Sequence, residues 1–337
     1  MINLENVSKS FKIYKKESGL KGAVKSLFKR EVEVKVAVDN LSLDIEEGEM
    51  VGYIGSNGAG KSTTIKMMTG ILVPSAGVCK TNGLIAHKNR QKNANHIGVV
   101  FGQRTQLWWD LPLTETFLVL KDIYEIDDDE YSERIEMLKD VLGLDEFIDR
   151  PVRTLSLGQR MRADLAAALI HNPKILFLDE PTIGLDVVVK EKIRNAIKQM
   201  NKKYHTTVLL TTHDLSDIEE LCDRIIIIDK GKKVYDGKIG DIKQRFGYMR
   251  TLEMCINESI DISYIKDTIK EKFNLSDSDY EIWLEAKKLS IRFNGSKIKI
   301  SDLVACMMSE VNIVDMSIKE TDIETIVKQI YEHEVEV

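Results

Sequence analysis

Gly55-Ser56-Asn57-Gly58-Ala59-Gly60-Lys61-Ser62-Thr63 fits the pattern G-x-x-x-x-G-K-[ST] at every fixed position. The apolar run before it (Met50, Val51, Tyr53, Ile54) reads as a buried strand, and Lys61 to Thr69 reads as a helix. The pattern requires this strand-to-helix context. There, glycines let backbone N–H groups curl round phosphate oxygens, and the helix N-terminus adds its positive dipole end. The stretch predicts a site for a nucleoside triphosphate, with Lys61 at the β- and γ-phosphates and the Ser62 hydroxyl as a magnesium ligand.

Working outward, residues 2–11 read as a strand ending in Phe11, an aromatic placed either to stack on a base or to join the core. Between 15 and 30, six lysines and arginines surround Leu20, Val24, Leu27 and Phe28, the spacing of a basic amphipathic helix. Two readings stay open for it: a solvated surface helix, or an element resting on anionic headgroups or a membrane partner. Val32, Val34, Val36 and Val38 alternate as in a strand. After the loop helix, Ile97–Phe101 is an apolar strand, and from Leu113 to Arg162 the pattern is mainly helical.

Ile175–Leu178 is a continuous apolar run, as in a strand buried on both faces of a parallel sheet, and it delivers Asp179-Glu180 to its carboxyl end. Thr207–Thr212 repeats the design and delivers His213, and Ile225–Gly237 reads as a closing strand and hairpin. Strands alternating with helices predict a doubly wound parallel sheet with its ligand outside the strands' carboxyl ends, where all these residues fall. Beyond about 248 the order becomes β-α-β-β-α-β-α, that of a small α+β domain of ferredoxin-like type. Thr321 and Glu324 have capping-box spacing at its last helix.

The 337 residues leave room for two domains, and 43% hydrophobic content suits a sizeable core. A net charge of -6 points away from nucleic acid. Cys79, Cys222, Cys255 and Cys306 are scattered without a C-x-x-C pair, as for buried thiols in a reducing cytoplasm. The start of the chain lacks signal-peptide order, and no stretch approaches the ~18 apolar residues of a membrane span. Any membrane role is therefore expected to run through a partner.

Leu155-Ser156-Leu157-Gly158-Gln159 upstream of Asp179-Glu180 resembles the signature of ATP-binding cassette (ABC) proteins. Gln103, Pro181-Thr182-Ile183-Gly184-Leu185-Asp186 and His213 follow that family's order and approximate spacing across residues 2–240. The resemblance implies a P-loop NTPase cassette over 1–240, with a mostly parallel sheet core and a helical subdomain at about 104–165. The α+β domain over 248–337 would be an accessory.

The resemblance also implies roles. Asp179, Ser62 and Gln103 would attend magnesium, Glu180 would polarise the attacking water, and His213 would bond the γ-phosphate. Gln103 would sense the γ-phosphate and relay it, with Gln106 as an alternative, and Phe11 or Tyr14 would meet the base. Ser156, Gly158 and Gln159 would meet the nucleotide of a second cassette, a copy or a paralogue, and Asp186 would lie where the two sites communicate. Leu157 departs from the usual glycine of the signature, which puts the hydrolysis rate in question.

Val99-Val100-Phe101-Gly102-Gln103 running into Leu107-Trp108-Trp109-Asp110-Leu111-Pro112, with the tail 322–327, is similar to ATPases of ABC-2 type and daunorubicin-resistance exporters. That implies ATP and magnesium, separate membrane permeases as partners, the cytoplasmic face of the membrane, and no nucleic acid. The open alternatives are a soluble cassette ATPase on ribosomes or DNA, an importer ATPase, and a weakly hydrolysing switch. The tryptophan pair either contacts a membrane subunit or packs on the helical subdomain.

Overall fold

The computed structural model describes residues 1–14, 32–102, 105–246, 249–257, 260–276 and 279–331. The basic helix expected at 15–30 and Gln103 lie outside them. The chain divides into two compact units, Met1–Gly237 and Lys238–Val337.

In the first unit, β1 (Ile2–Tyr14) pairs antiparallel with β2 (Val32–Ile45). β3 (Met50–Gly55) leads through the glycine-rich loop into α1 (Lys61–Met68). Then come β4 (Ala76–Thr81), β5 (Leu84–Ile85), α2 (Arg90–Ala94) and β6 (Ile97–Phe101). The helical stretch contains α3 (Leu113–Tyr124), α4 (Asp128–Leu142), a 3-10 turn (Val152–Thr154) and α5 (Leu157–Leu169). β7 (Ile175–Asp179), α6 (Val187–Tyr204), β8 (Thr207–Thr211), α7 (Leu215–Leu221), β9 (Arg224–Asp229) and β10 (Lys232–Lys238) complete the unit's elements.

The larger sheet has the order β10-β9-β3-β8-β7-β6, with β9 to β6 mutually parallel. Its central strands are buried on both faces, which is why they read as unbroken Ile, Leu and Val rather than as alternation. A second sheet, β2-β1-β4-β5, is antiparallel. The sequence reads as strands over 2–11 and, by alternation, from Val32 to Val38, but not as a sheet that stands apart from the parallel one. One core joins the two sheets: Ile2, Leu4, Val7 and Leu41 pack with Tyr53, Ile65, Met68 and Phe177. Of Val34, Val36 and Val38 only Val38 is buried. Val34 and Val36 are exposed opposite Lys12 and Ser10, so at this end of the pair the period marks a strand and not a core face.

Acidic residues cluster where a helix dipole favours them, with Asp128, Asp129 and Glu130 in the first turn of α4. No helix among the described residues is long and apolar enough to cross a membrane.

The second unit holds α8 (Ile239–Phe246), β11 (Met249–Ile256), α9 (Ile262–Phe273), β12 (Tyr280–Glu285), β13 (Lys288–Asn294), α10 (Ile300–Glu310), β14 (Ile313–Glu320) and α11 (Ile323–Tyr331). Its antiparallel sheet runs β12-β13-β11-β14, the strand order of a ferredoxin-like βαββαβ unit. Leu252, Met254, Ile291 and Phe293 meet Ile265, Ile269, Leu303 and Met307 in a separate core. The cap of α11 differs from the expected Thr321–Glu324 box. Asp322 accepts from the Thr325 N–H at 2.7 Å, while the Thr321 hydroxyl donates to the Met249 carbonyl. Three cysteines are buried as expected, but Cys255, opposite Asp315 and Lys288, is exposed.

Two carboxylates of this unit are held far below their usual range. Lys297 and Ser276 bring Asp279 to about 2, and Lys288 and Lys319 bring Glu253 to about 2. Because both folded values lie below the unfolded ~4, these groups stabilise the fold above that pH and lose the contribution as pH falls from about 4 to about 2. Acid unfolding followed by Trp283 emission in a Trp108→Phe/Trp109→Phe background should steepen in this window. Asp279→Asn with Glu253→Gln should flatten it, and an unchanged profile would remove these pairs from the account.

Candidate active site

The loop leaves β3 at Gly55 and runs into α1, and its residues Ser56 to Thr63 line a cleft of about 990 Å³. That volume falls within the ~300–1,000 Å³ of small-molecule sites. Gly60 adopts φ +108, and a Cβ there would stand 2.5 Å from the Ala37 carbonyl oxygen, so the tight turn admits glycine only. Gly60 is also the N-cap of α1, and no side chain caps that end, which leaves helix N–H groups for an anion. The Ser56 hydroxyl donates to Asp229 at 2.9 Å and anchors the loop to the end of β9. Lys61 Nζ donates back to the carbonyls of Gly55 at 2.5 Å and Ser56 at 3.3 Å, an ammonium held across the mouth of the loop. Burial lowers the Lys61 pKa, while Glu180 and Asp179 act to raise it.

The acidic pair arrives at the carboxyl end of β7. Asp179 Oδ1 accepts from the Thr211 hydroxyl at 2.5 Å, and Oδ2 lies 3.4 Å from the Ser62 hydroxyl, which donates to it. Among the described residues no three His, Cys, Asp or Glu side chains converge on a metal site. A cation between Ser62 and Asp179 would therefore take most of its ligands from water and phosphate, which suits magnesium.

Glu180 sits at φ +59, a conformation that costs a non-glycine residue about 1–3 kcal/mol and concentrates at functional sites. Its N–H is held by the Thr211 carbonyl at 2.9 Å. His213 Nε2 stands 3.3 Å from Glu180 Oε1. Burial raises the Glu180 pKa, and neighbouring Asp179 adds to the rise. His213, by charge and through its backbone N–H, and Lys61 oppose it. The outcome is a carboxylate more basic than an ordinary glutamate and in contact with a histidine.

Phe11 lines the same cleft with Ile13 and Lys35, 38% exposed, where a base could stack. Tyr14 ends β1, and its side chain lies outside the described residues. The structure thus brings Phe11, the loop residues Ser56 to Thr63, Asp179, Glu180 and His213 to one cleft.

Ser156, Gly158, Gln159 and Asp186 form a second group that does not line the cleft. Ser156 caps α5 with a capping box: its hydroxyl accepts from the Gln159 N–H at 3.2 Å, and Gln159 Oε1 accepts from the Ser156 N–H at 3.0 Å. Gln159 therefore shapes the helix start with the same side chain that the sequence reading assigned to a nucleotide. Asp186 caps α6, accepting from the Val189 N–H at 2.9 Å. The two motifs abut, since a Cβ on Gly158 would meet Val189 at 3.2 Å and one on Gly184 would meet the Leu157 side chain at 3.3 Å. Leu157 is 44% exposed, with its side chain beside Gly184.

Gly102, next to Gln103, lines the cleft. Gln106, the alternative sensor, is committed elsewhere: its N–H donates to Asp164 Oδ1 at 3.0 Å and its side-chain amide to the Asp164 carbonyl at 3.1 Å. The Thr105 hydroxyl donates to Asp164 Oδ1 at 2.8 Å, and the Arg160 guanidinium stands 5.2 Å from the Trp109 ring centre. Arg153 pairs with Asp110 at 2.6 Å. The segment 105–110 is therefore fastened to the signature region, yet Trp108 and Trp109 remain 39% and 48% exposed. Burial pushes Asp164 up to about 6. Sequence reasoning missed Asp164, Thr211 and Asp229. Only Thr211 carried a signal, as a hydroxyl at a strand end two residues before His213.

Residues 38–183 match the family described as "ABC transporter". The chain is 36% identical over 212 residues to the ABC transporter ATP-binding protein NatA of Bacillus subtilis, covering 63% of this chain and 86% of that one. It is 29% identical to the linearmycin resistance ATP-binding protein LnrL of the same organism, over 86% of this chain and 92% of that one. It is 30% identical to the methionine import ATP-binding protein MetN of Geobacillus kaustophilus, over 85% and 83%. Among solved structures, the ATP-binding cassette MJ0796, a dimer in a post-hydrolysis state with ADP and Pi, is 28% identical. Its TM-score is 0.59, and the match covers 71% of this chain and 99% of that one.

Proposed function

Because the chain belongs to the ABC transporter ATP-binding protein family, we propose that it is the ATP-hydrolysing subunit of an ABC-2 type exporter, acting at the cytoplasmic face of a membrane through separate permeases. As a cassette of this family it is an ATPase. The observation that carries the permease contact is the exposed Trp108-Trp109 pair on the segment fastened to the signature helix, just after Gln103. Half-exposed aromatics on an anchored loop suit a protein contact. The resistance function in the name of LnrL agrees with export, whereas the MetN relative favours import as the second reading.

In hydrolysis, the loop N–H groups and Lys61 would hold the phosphates, and Glu180 would take the proton from the attacking water. His213 would hold Glu180 against the γ-phosphate. Ser62, Asp179 and Gln103 are the residues that would hold magnesium, which when bound neutralises developing phosphate charge. Ser156, Gly158 and Asp186 lie off the cleft, where they could meet the nucleotide of a second cassette. The second unit has its own core and is read as a regulatory or assembling module.

Trp108→Ala tests the partner contact. Soluble ATPase activity should stay within about twofold, as for an exposed side chain away from the chemistry, while capture of permeases from detergent-solubilised membranes and substrate efflux are lost. Equal loss of ATPase activity and efflux would sink the contact. Co-capture of a substrate-binding protein with the permeases would favour import.

A further inference from the structure

Asp217 is fully buried in the first turn of α7, and none of the site's expected roles uses it. Its Oδ2 accepts from the Thr182 hydroxyl at 2.5 Å and, at 3.5 Å, from the Thr212 hydroxyl. Its Oδ1 accepts from Arg194 through Nε at 2.7 Å and Nη2 at 2.5 Å. Thr182 lies two residues after Glu180, and Thr212 immediately precedes His213. Arg194 stands on α6, the helix that Asp186 caps, and reaches Ser216 and Glu220 of α7 as well. Thr212 Oγ1 also accepts from the Asp214 N–H at 3.0 Å, and Asp214 pairs with Lys190 of α6. One buried carboxylate thus joins the loop leaving Glu180, the turn carrying His213 and the helix begun by Asp186.

We propose that Asp217, through Thr182 and Thr212, is a positioning residue that sets the separation of Glu180 and His213, with Arg194 holding its charge in place. The proposal rests on the reading of Glu180 and His213 as hydrolytic groups. Glu180 needs such support because its strained backbone persists only where its surroundings fix it, and the chain from residue 181 onward is tied down at Thr182. Thr182 is itself buried, so its hydroxyl has this bond in place of water.

The test is single-turnover hydrolysis of ATP by the full chain, well below its melting temperature, with ATP affinity measured in parallel. Thr182→Val keeps shape and burial but removes the donor. It should slow hydrolysis by about 10- to 100-fold, as misplaced groups do, with ATP affinity within about twofold. Thr182→Ser should recover most of the rate, and Asp217→Asn should follow Thr182→Val. Where Asp217→Asn fails to fold, Thr182→Val decides. Hydrolysis within about twofold of wild type in Thr182→Val, with only a lowered melting temperature, would overturn the proposal and leave a structural ion pair. Glu180→Gln run alongside separates the premise: unchanged hydrolysis there overturns the base, whereas a dead Glu180→Gln beside a normal Thr182→Val overturns the positioning alone.

Discussion

Glu180→Gln should bind ATP and lose hydrolysis by about 10²- to 10⁴-fold, the range that a positioned general base contributes. The glutamine keeps the volume and an acceptor for His213, 3.3 Å away, but cannot take a proton. With turnover stopped, ATP should hold two copies together, visible as an ATP-dependent dimer in gel filtration. The wild-type rate should also fall on the acid side at a pH above the ordinary glutamate value of about 4.3, because burial raises the Glu180 pKa and only the deprotonated form is a base. His213→Ala removes the side-chain charge that helps to hold this pKa down and leaves the backbone N–H in place, so its acid limb should move to higher pH. Equal turnover in Glu180→Gln and wild type would mean that another group is the base.

Gly102→Ala should be nearly as damaging, although glycine to alanine is the smallest change in size. A Cβ at residue 102 would lie 2.3 Å from the Glu180 carbonyl oxygen and 2.8 Å from that of Asp179. Both are backbone atoms that no rotamer change can move aside. The Gly102 N–H also donates to the Asp179 carbonyl at 2.7 Å, so the ends of β6 and β7 must part and carry both acidic residues with them. A displacement near 1 Å at such groups costs about 100-fold in rate. Gly98→Ala is the control. At the far end of β6 its Cβ would meet the Ala168 carbonyl at 2.3 Å, so it should cost about 1–3 kcal/mol of stability by overpacking while sparing the rate of the folded fraction. Comparable rates for the two variants, corrected for folded fraction, would show that Gly102 has no special place in catalysis.

How much of this was legible beforehand depends on how far apart in the chain the partners lie. Phosphate-loop chemistry is local: its glycines, Lys61 and Ser62 share one strand-to-helix turn, and the sequence alone determined it. It likewise determined the parallel-sheet strands, whose unbroken apolar runs reflect burial on both faces, and the β-α-β-β-α-β-α order of the second unit. Each such property depends on residues within a few positions of one another.

Tertiary structure alone decided which side chains meet across the chain. Asp217 joins Thr182, 35 residues away, and Asp164 joins Thr105, 59 residues away. Neither aspartate stands out by composition or period. The same holds for Gly102, whose need for glycine comes from a neighbouring strand. In the second unit, spacing suggested Thr321 as a cap, but the Met249 carbonyl claimed its hydroxyl and left Asp322 to cap the helix. A short polar side chain bonds whichever partner the fold brings within reach, and that partner is set by strand order and packing that no local pattern encodes.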